Sequence, residues 1–205
     1  MRLVLSTLAL TLLMSACESN TSGAGSPATP TATPSTVVAA LLVWTTWTAD
    51  PKVAGGPEPG YRPALTGLTG HDVQSATPMI DNTGTSWVIY LVFTARGASL
   101  FSTLTQKTAA PCPNPSGNCP QRHLGLWLDL SQSDIDRWDD PSFVAQVSMP
   151  FDLACLAKPS AGVCAKFVSD PVTLEQIKSG QAAISGAFTR EGAQELAASI
   201  NALPR

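Results

Sequence analysis

The nine residues from Thr85 to Phe93 (TSWVIYLVF) restrict the possible folds of this chain more than any other segment. They are rich in aromatic and β-branched side chains and nearly continuous in apolarity, which predicts a central strand. Thr94 follows as a plausible N-cap, and Ala98, Leu100, Phe101 and Leu104 gather on one side of a helix that should end within Gln106–Ala109, ahead of Pro111. His123 to Leu130 alternates, with Leu124, Leu126, Leu128 and Leu130 on one face and His123, Gly125, Trp127 and Asp129 on the other. That period of two predicts a half-buried strand. Phe143 to Phe151 reads as its partner, stopped by Pro150, and Ser131 to Pro141 reads as an acidic turn between them. Gln181 to Phe188 is a further short strand. Thr189 then caps the clearest helix, in which Ala193, Leu196, Ala197 and Ile200 fall at i, i+3, i+4 and i+7. Val37–Thr48 adds an early strand and Val172–Lys178 a short helix. The order argues for an α+β fold, a mainly antiparallel sheet with helices packed on one face.

The start of the chain indicates where that domain folds. Met1-Arg2 is a minimal positive region, and Leu3 to Leu13 is an apolar run interrupted by Ser6, Thr7 and Thr11, shorter than the roughly 20 residues a spanning helix needs. It ends in Leu13-Met14-Ser15-Ala16-Cys17, which resembles a bacterial lipobox despite Met14. Residues 1–16 are therefore read as a lipoprotein signal peptide and Cys17 as the lipid attachment. The competing readings are an ordinary secretory signal with a chance cysteine and an uncleaved anchor. Two acyl chains at about 0.8 kcal/mol per buried methylene would hold the protein durably on the extracytoplasmic face of the cell membrane. Residues 17–36 form the lipidated cysteine and a Ser/Thr/Pro linker. Lacking apolar side chains to offset its ordering entropy, this linker is expected to be a disordered tether reaching at most about 65 Å. The folded domain is expected over 37–205.

The other cysteines fit that location. They form two local pairs, Cys112 with Cys119 and Cys155 with Cys164, each bracketing a Pro/Gly/Ser loop. An even number outside the cytosol reads as disulfides. Of the three possible pairings the two local ones are favoured, because short turn-rich loops close easily; each bridge would contribute about 2.5 kcal/mol. Cys112, Cys119 and His123 also offer a C-x6-C-x3-H zinc set, but this spacing matches no common finger and oxidation would compete with the metal.

A net charge of −3 without a Lys/Arg cluster leaves nothing to attract a phosphate backbone, so a nucleic-acid partner is excluded. Charged residues make up 13%, against roughly 25% in an average protein, a composition typical of exported chains. Chemical motifs are scarce. His71-Asp72 are adjacent and so point apart, which makes a base pair improbable on geometry. Asp134, Asp136, Asp139 and Asp140 lack the glycine and closing Glu of a calcium loop and read as a solvated turn. No nucleophile elbow, phosphate loop or dinucleotide fingerprint is present. The reading is of a non-enzyme with no cofactor and no metal. Of the five tryptophans, Trp127, opposite the leucine face, is the candidate for a ligand platform, against the commoner core role.

Four segments together resemble a known family. LTGLTGHDVQSA (Leu65–Ala76), TSWVIYLVFTARGASLFSTLTQ (Thr85–Gln106), HLGLWLD (His123–Asp129) and SGQAAISGAFTREGAQELAASINALP (Ser179–Pro204) are similar, in the same order, to the periplasmic head of the SecD/SecDF protein-export factors. Gly97 and Gly186 stand where a side chain would obstruct close approach or a bend. The chain departs from the family in a longer insertion between Asp129 and VSMPF (Val147–Phe151), an apparent insertion over 152–170, Gly192 in place of a Glu, and a shortened ending at Asn201–Pro204. SecDF couples its head to a membrane bundle that carries a proton-driven step, and this sequence ends at Arg205, so the expectation is a head without that motor. The resemblance implies a lipid-anchored polypeptide-binding or accessory module related to protein export, in contact with secreted chains or an envelope complex. The alternative is a structural or assembly lipoprotein that reuses the fold.

Overall fold

The computed structural model describes residues 37–109, 119–158 and 162–204. In chain order the elements are β1 (Leu42–Ala49), β2 (Tyr61–Thr69), β3 (Val73–Ile80), β4 (Trp87–Phe93), α1 (Ala95–Thr108) and β5 (Gly125–Leu128). Then come α2 (Gln132–Asp136), α3 (Pro141–Val147), α4 (Leu153–Leu156), β6 (Phe167–Ser169), β7 (Gln181–Phe188) and α5 (Arg190–Asn201). The fold is α+β, with antiparallel pairing between all of these strands. Where periodicity suggests one sheet there are two, ordered β2-β1-β5-β6 and β3-β4-β7.

The strand of Trp87–Phe93 does take the centre of its sheet. Ile89 and Leu91 are wholly buried, and the strand pairs along both edges. Thr94 caps α1 by accepting from the Gly97 N–H at 3.1 Å. Ala193, Leu196, Ala197 and Ile200 are all buried, so α5 lays its small-residue stripe on β3 and β4. One core joins Leu42, Trp44, Leu126 and Leu128 of the first sheet to Ile89, Leu91 and Ile184 of the second, with Phe101 of α1 and Leu196 of α5 packed among them.

A second core lies on the opposite face of the first sheet. There Val43, Trp47 and Trp127 meet Ile135 of α2, Trp138, and Phe143, Val144 and Val147 of α3. Strand β5 is consequently buried on both faces, not half-buried as its alternation predicts. Trp127 is fully buried; its ring stands edge-on to Trp138 at 5.5 Å and its indole N–H donates to Thr45 Oγ1 at 3.0 Å. It is a core residue and not a ligand platform.

Three other expectations are corrected, the first being that the acidic turn read over Ser131–Pro141 holds helix α2, capped by the Ser131 side chain, which accepts from the Asp134 N–H. Residues 143–151 do not pair with β5, whose neighbours are β1 and β6; the first part of the segment is α3. Asp140 caps that helix by accepting from the Ser142 and Phe143 N–H groups, Pro141 occupies its first turn, and Phe143, Val144 and Val147 share one buried side. Residues 172–178 are not helical: they form a strap whose Thr173 N–H donates to the Arg122 carbonyl and whose Ile177 N–H donates to Thr105 Oγ1. The strands β2 and β3 carry Pro63 and Pro78, which disguise them as loops; both are edge strands, where a missing N–H is tolerated.

A disulfide joins Cys155 to Cys164 with a Cα–Cα distance of 5.7 Å, tying α4 to the segment ahead of β6. Residues 1–36, including Cys17, and Cys112 lie outside the described residues. Among those described, no helix is long and apolar enough to cross a membrane.

Candidate binding groove

Among the described residues, strand β7 ends the second sheet and pairs only with β4, leaving its outer edge without a strand partner. The first sheet ends at β6, along which residues 149–152 run, with the Phe151 N–H donating to the Phe167 carbonyl at 2.9 Å and Pro150 bridged to Phe167. The two sheets come together here through the Ser169 hydroxyl, which donates to the Ser185 carbonyl at 2.7 Å. Beyond that contact they diverge. Between them opens a groove of about 790 Å³, walled by Phe151, Leu153, Phe167 and Val168 on one side and by Gly186, Ala187 and Phe188 on the other.

The groove is mainly apolar. Phe151 and Phe188 meet with ring centroids 6.4 Å apart and tilted by 51°. Gly186 keeps this wall low, since a Cβ there would press on the Phe188 ring at 3.1 Å. Charge is confined to Asp152, Asp170 and Glu195, with no Lys or Arg among the lining residues. An apolar floor beside an unpaired strand edge suits an extended chain, whose main chain can hydrogen-bond along the edge while alternate side chains enter the floor. The exposed carboxylates of Asp152 and Glu195 favour basic flanking residues in such a chain, whereas that of Asp170 is turned to His123 and Trp47. The 171–177 strap separately covers a smaller apolar cavity of about 260 Å³ against Trp44, Phe101 and Leu126.

The residues singled out from sequence have other positions. His71 is exposed, with Nδ1 at 3.1 Å from the Pro204 carbonyl, whereas Asp72 is buried, takes the Thr69 N–H and pairs with Arg96 at 2.5 Å. They do not act as a pair. The four aspartates of 134–140 turn to separate partners: Asp134 to Lys166, Asp136 to Gln132, Asp139 to Arg62, and Asp140 to the start of α3. Burial disfavours the ionised form of Asp134, but the Lys166 ammonium and the Ser131 hydrogen bonds outweigh it and hold the carboxyl below its ordinary range. The ring of His123 meets Glu58 and Asp170, each 2.9 Å from Nδ1. Neither the groove nor this triad is signalled by any spacing in the sequence. The apolar VSMPF segment and the Gly186-Ala187-Phe188 stretch were visible, but nothing in them announces that they face each other.

The model of the SecDF P1 head subdomain matches residues 60–204. The chain belongs to that family. The match runs from the end of the β1–β2 connection through α5, so it includes both walls of the groove. One similar solved structure is described as "Structure and function of a membrane component SecDF that enhances protein export", at 19% identity and a TM-score of 0.46, covering 80% of this chain and 63% of that one. Another is described as "Crystal structure of SecDF in Super-membrane-facing form", at 19% identity and a TM-score of 0.44, covering 78% of this chain and 18% of that one. The chain thus corresponds to less than two thirds of either SecDF chain. No curated protein matches it.

Proposed function

We propose that the protein is a non-catalytic envelope protein, anchored by lipid on Cys17, that holds extended apolar segments of exported polypeptides in the groove between Phe151 and Phe188. Membership of the SecDF P1 head family supports an accessory role related to protein export. The observation that carries the finer reading is the coincidence of an unpaired β7 edge, an aromatic floor and a purely acidic charged rim in one groove. Residues 1–16 act as the signal peptide and 17–36 as the tether, so that the domain from residue 37 works near the outer surface of the membrane.

A photo-crosslinking amino acid at Ala187, in the groove, tests this in cells, with exposed Gln132 on α2 as the control position. Chains in transit should be captured from Ala187 and not from Gln132, and captures should fall when secretion is arrested. The same capture set at both positions would refute the reading. The lipid is tested by mass: the mature protein should begin at acylated Cys17, and Cys17→Ser should leave the membrane fraction. Exposed Met79 and Ile80 at the end of β3 favour the alternative, a structural or assembly lipoprotein; a crosslinker at Met79 would then recover one fixed envelope partner.

A further inference from the structure

Glu58, His123 and Asp170 come from three separate places: the β1–β2 connection, the turn before β5, and the end of β6. Their side chains converge in a largely buried position, with side-chain exposures of 6%, 16% and 13%. Glu58 Oε1 and Asp170 Oδ2 each stand 2.9 Å from His123 Nδ1, and all three atoms lie within 4.8 Å of one another.

We infer that Glu58, His123 and Asp170 form a binding site for a divalent transition-metal cation, Zn²⁺ being the appropriate probe. Two ligand atoms about 2.0–2.1 Å from one ion lie about 2.9 Å apart at right angles and about 3.3 Å apart in a tetrahedral shell, so both nitrogen–oxygen spacings of 2.9 Å need to open by only about 0.4 Å to hold a tetrahedral ion. Imidazole plus two carboxylates suits Zn²⁺ or its transition-metal neighbours, whereas Mg²⁺ and Ca²⁺ prefer oxygen alone. The outer shell is in place as well: the Trp47 indole N–H donates to Asp170 Oδ1 at 3.0 Å, fixing the carboxylate while leaving Oδ2 toward the histidine. With Nδ1 as the ligand, the ring proton sits on Nε2. Three protein ligands leave room for water on the ion. Asp170 also lines the groove, so a bound ion would brace that wall by tying it to the β1–β2 connection. The site stands independently of what the groove holds.

The test uses the full chain purified in detergent and stripped with EDTA, titrated with Zn²⁺ and, in parallel, Mg²⁺. One Zn²⁺ per chain should bind, and at a hundredfold excess over Kd the unfolding midpoint should rise by about 5–10 °C. Mg²⁺ should do neither. Binding should be lost in Glu58→Gln and in Asp170→Asn and retained in the double variant Cys112→Ser/Cys119→Ser. Should either carboxylate variant misfold, X-ray absorption of the zinc-loaded wild type decides: a shell of nitrogen and oxygen with one imidazole is expected. Sulfur in the shell, unaltered binding in both carboxylate variants, or no saturable Zn²⁺ binding by the wild type would overturn the site.

Discussion

Gly97 is where the first helix comes closest to the rest of the molecule, and replacing it by alanine isolates that contact. A Cβ at this position would collide with the Asp72 carbonyl oxygen and lie 2.9 Å from Asp72 Cβ and 3.0 Å from its carbonyl carbon. Asp72 cannot easily yield. It is buried, its carbonyl accepts the Thr94 N–H at 2.8 Å, and its carboxylate takes the Thr69 N–H and Arg96. The helix must therefore shift. Overpacking of this kind costs about 1–3 kcal/mol, and loosening the Thr94 hydrogen bond adds about 0.5–1.5 kcal/mol. Against this, alanine gains about 0.5–1 kcal/mol over glycine within a helix. The net is a loss of roughly 0.5–4 kcal/mol, centred near 2 kcal/mol, which corresponds to a fall of about 4–8 °C in Tm for a chain of this size. Far-UV circular dichroism melts of the full chain in detergent provide the assay. Gly192→Ala is the control, since its Cβ would meet only Thr189 Oγ1 at 3.3 Å, and it should stay within about 1 kcal/mol of wild type. A Gly97→Ala protein that melts at or above the wild-type temperature would refute the close-approach argument.

Other perturbations have equally definite outcomes. Trp127→Ala empties a fully buried indole site and should lower stability by about 3–5 kcal/mol in urea unfolding; a loss under 1 kcal/mol would place Trp127 at the surface. The depressed carboxyl of Asp134 contributes stability above the ordinary unfolded value of about 3.9 and loses it as pH falls through the lower folded value. Asp134→Asn should accordingly flatten the fall of Tm below about pH 4, and parallel wild-type and variant profiles would contradict the Lys166 pairing. The double variant Cys155→Ser/Cys164→Ser should lose about 2.5 kcal/mol in denaturant melts if the ten-residue loop closure acts through chain entropy; an unchanged midpoint would argue against that.

The parts of the fold that could be read in the sequence are those in which local signals agree. The run from Trp87 through Thr94 into α1 and the run from Gln181 through Thr189 into α5 each combine strand composition, a threonine cap and a helical stripe, and each folds as those signals direct. The signals for α3 were also present, in Asp140 as cap and Pro141 at the first turn, but the β-branched character of Val144 and Val147 suggests a strand when composition is weighed ahead of capping. Division into two sheets is different in kind. It depends on the chain leaving the first sheet at Thr69 and entering the second at Val73, a three-residue turn over Gly70–Asp72 whose consequence is long-range pairing. The groove and the Glu58–His123–Asp170 convergence are likewise products of topology, because their residues are distant along the chain and carry no shared spacing.

The central claim, that the groove takes extended chains, is tested most directly by fluorescence anisotropy of a labelled, permanently unfolded polypeptide rich in apolar and basic residues, titrated with the full chain in detergent. Saturable binding is expected, weakened at least tenfold by Phe188→Glu, which places a charge on the half-buried groove wall at the margin of the first core. No saturable binding, or equal affinity in a folded Phe188→Glu protein, would contradict the claim.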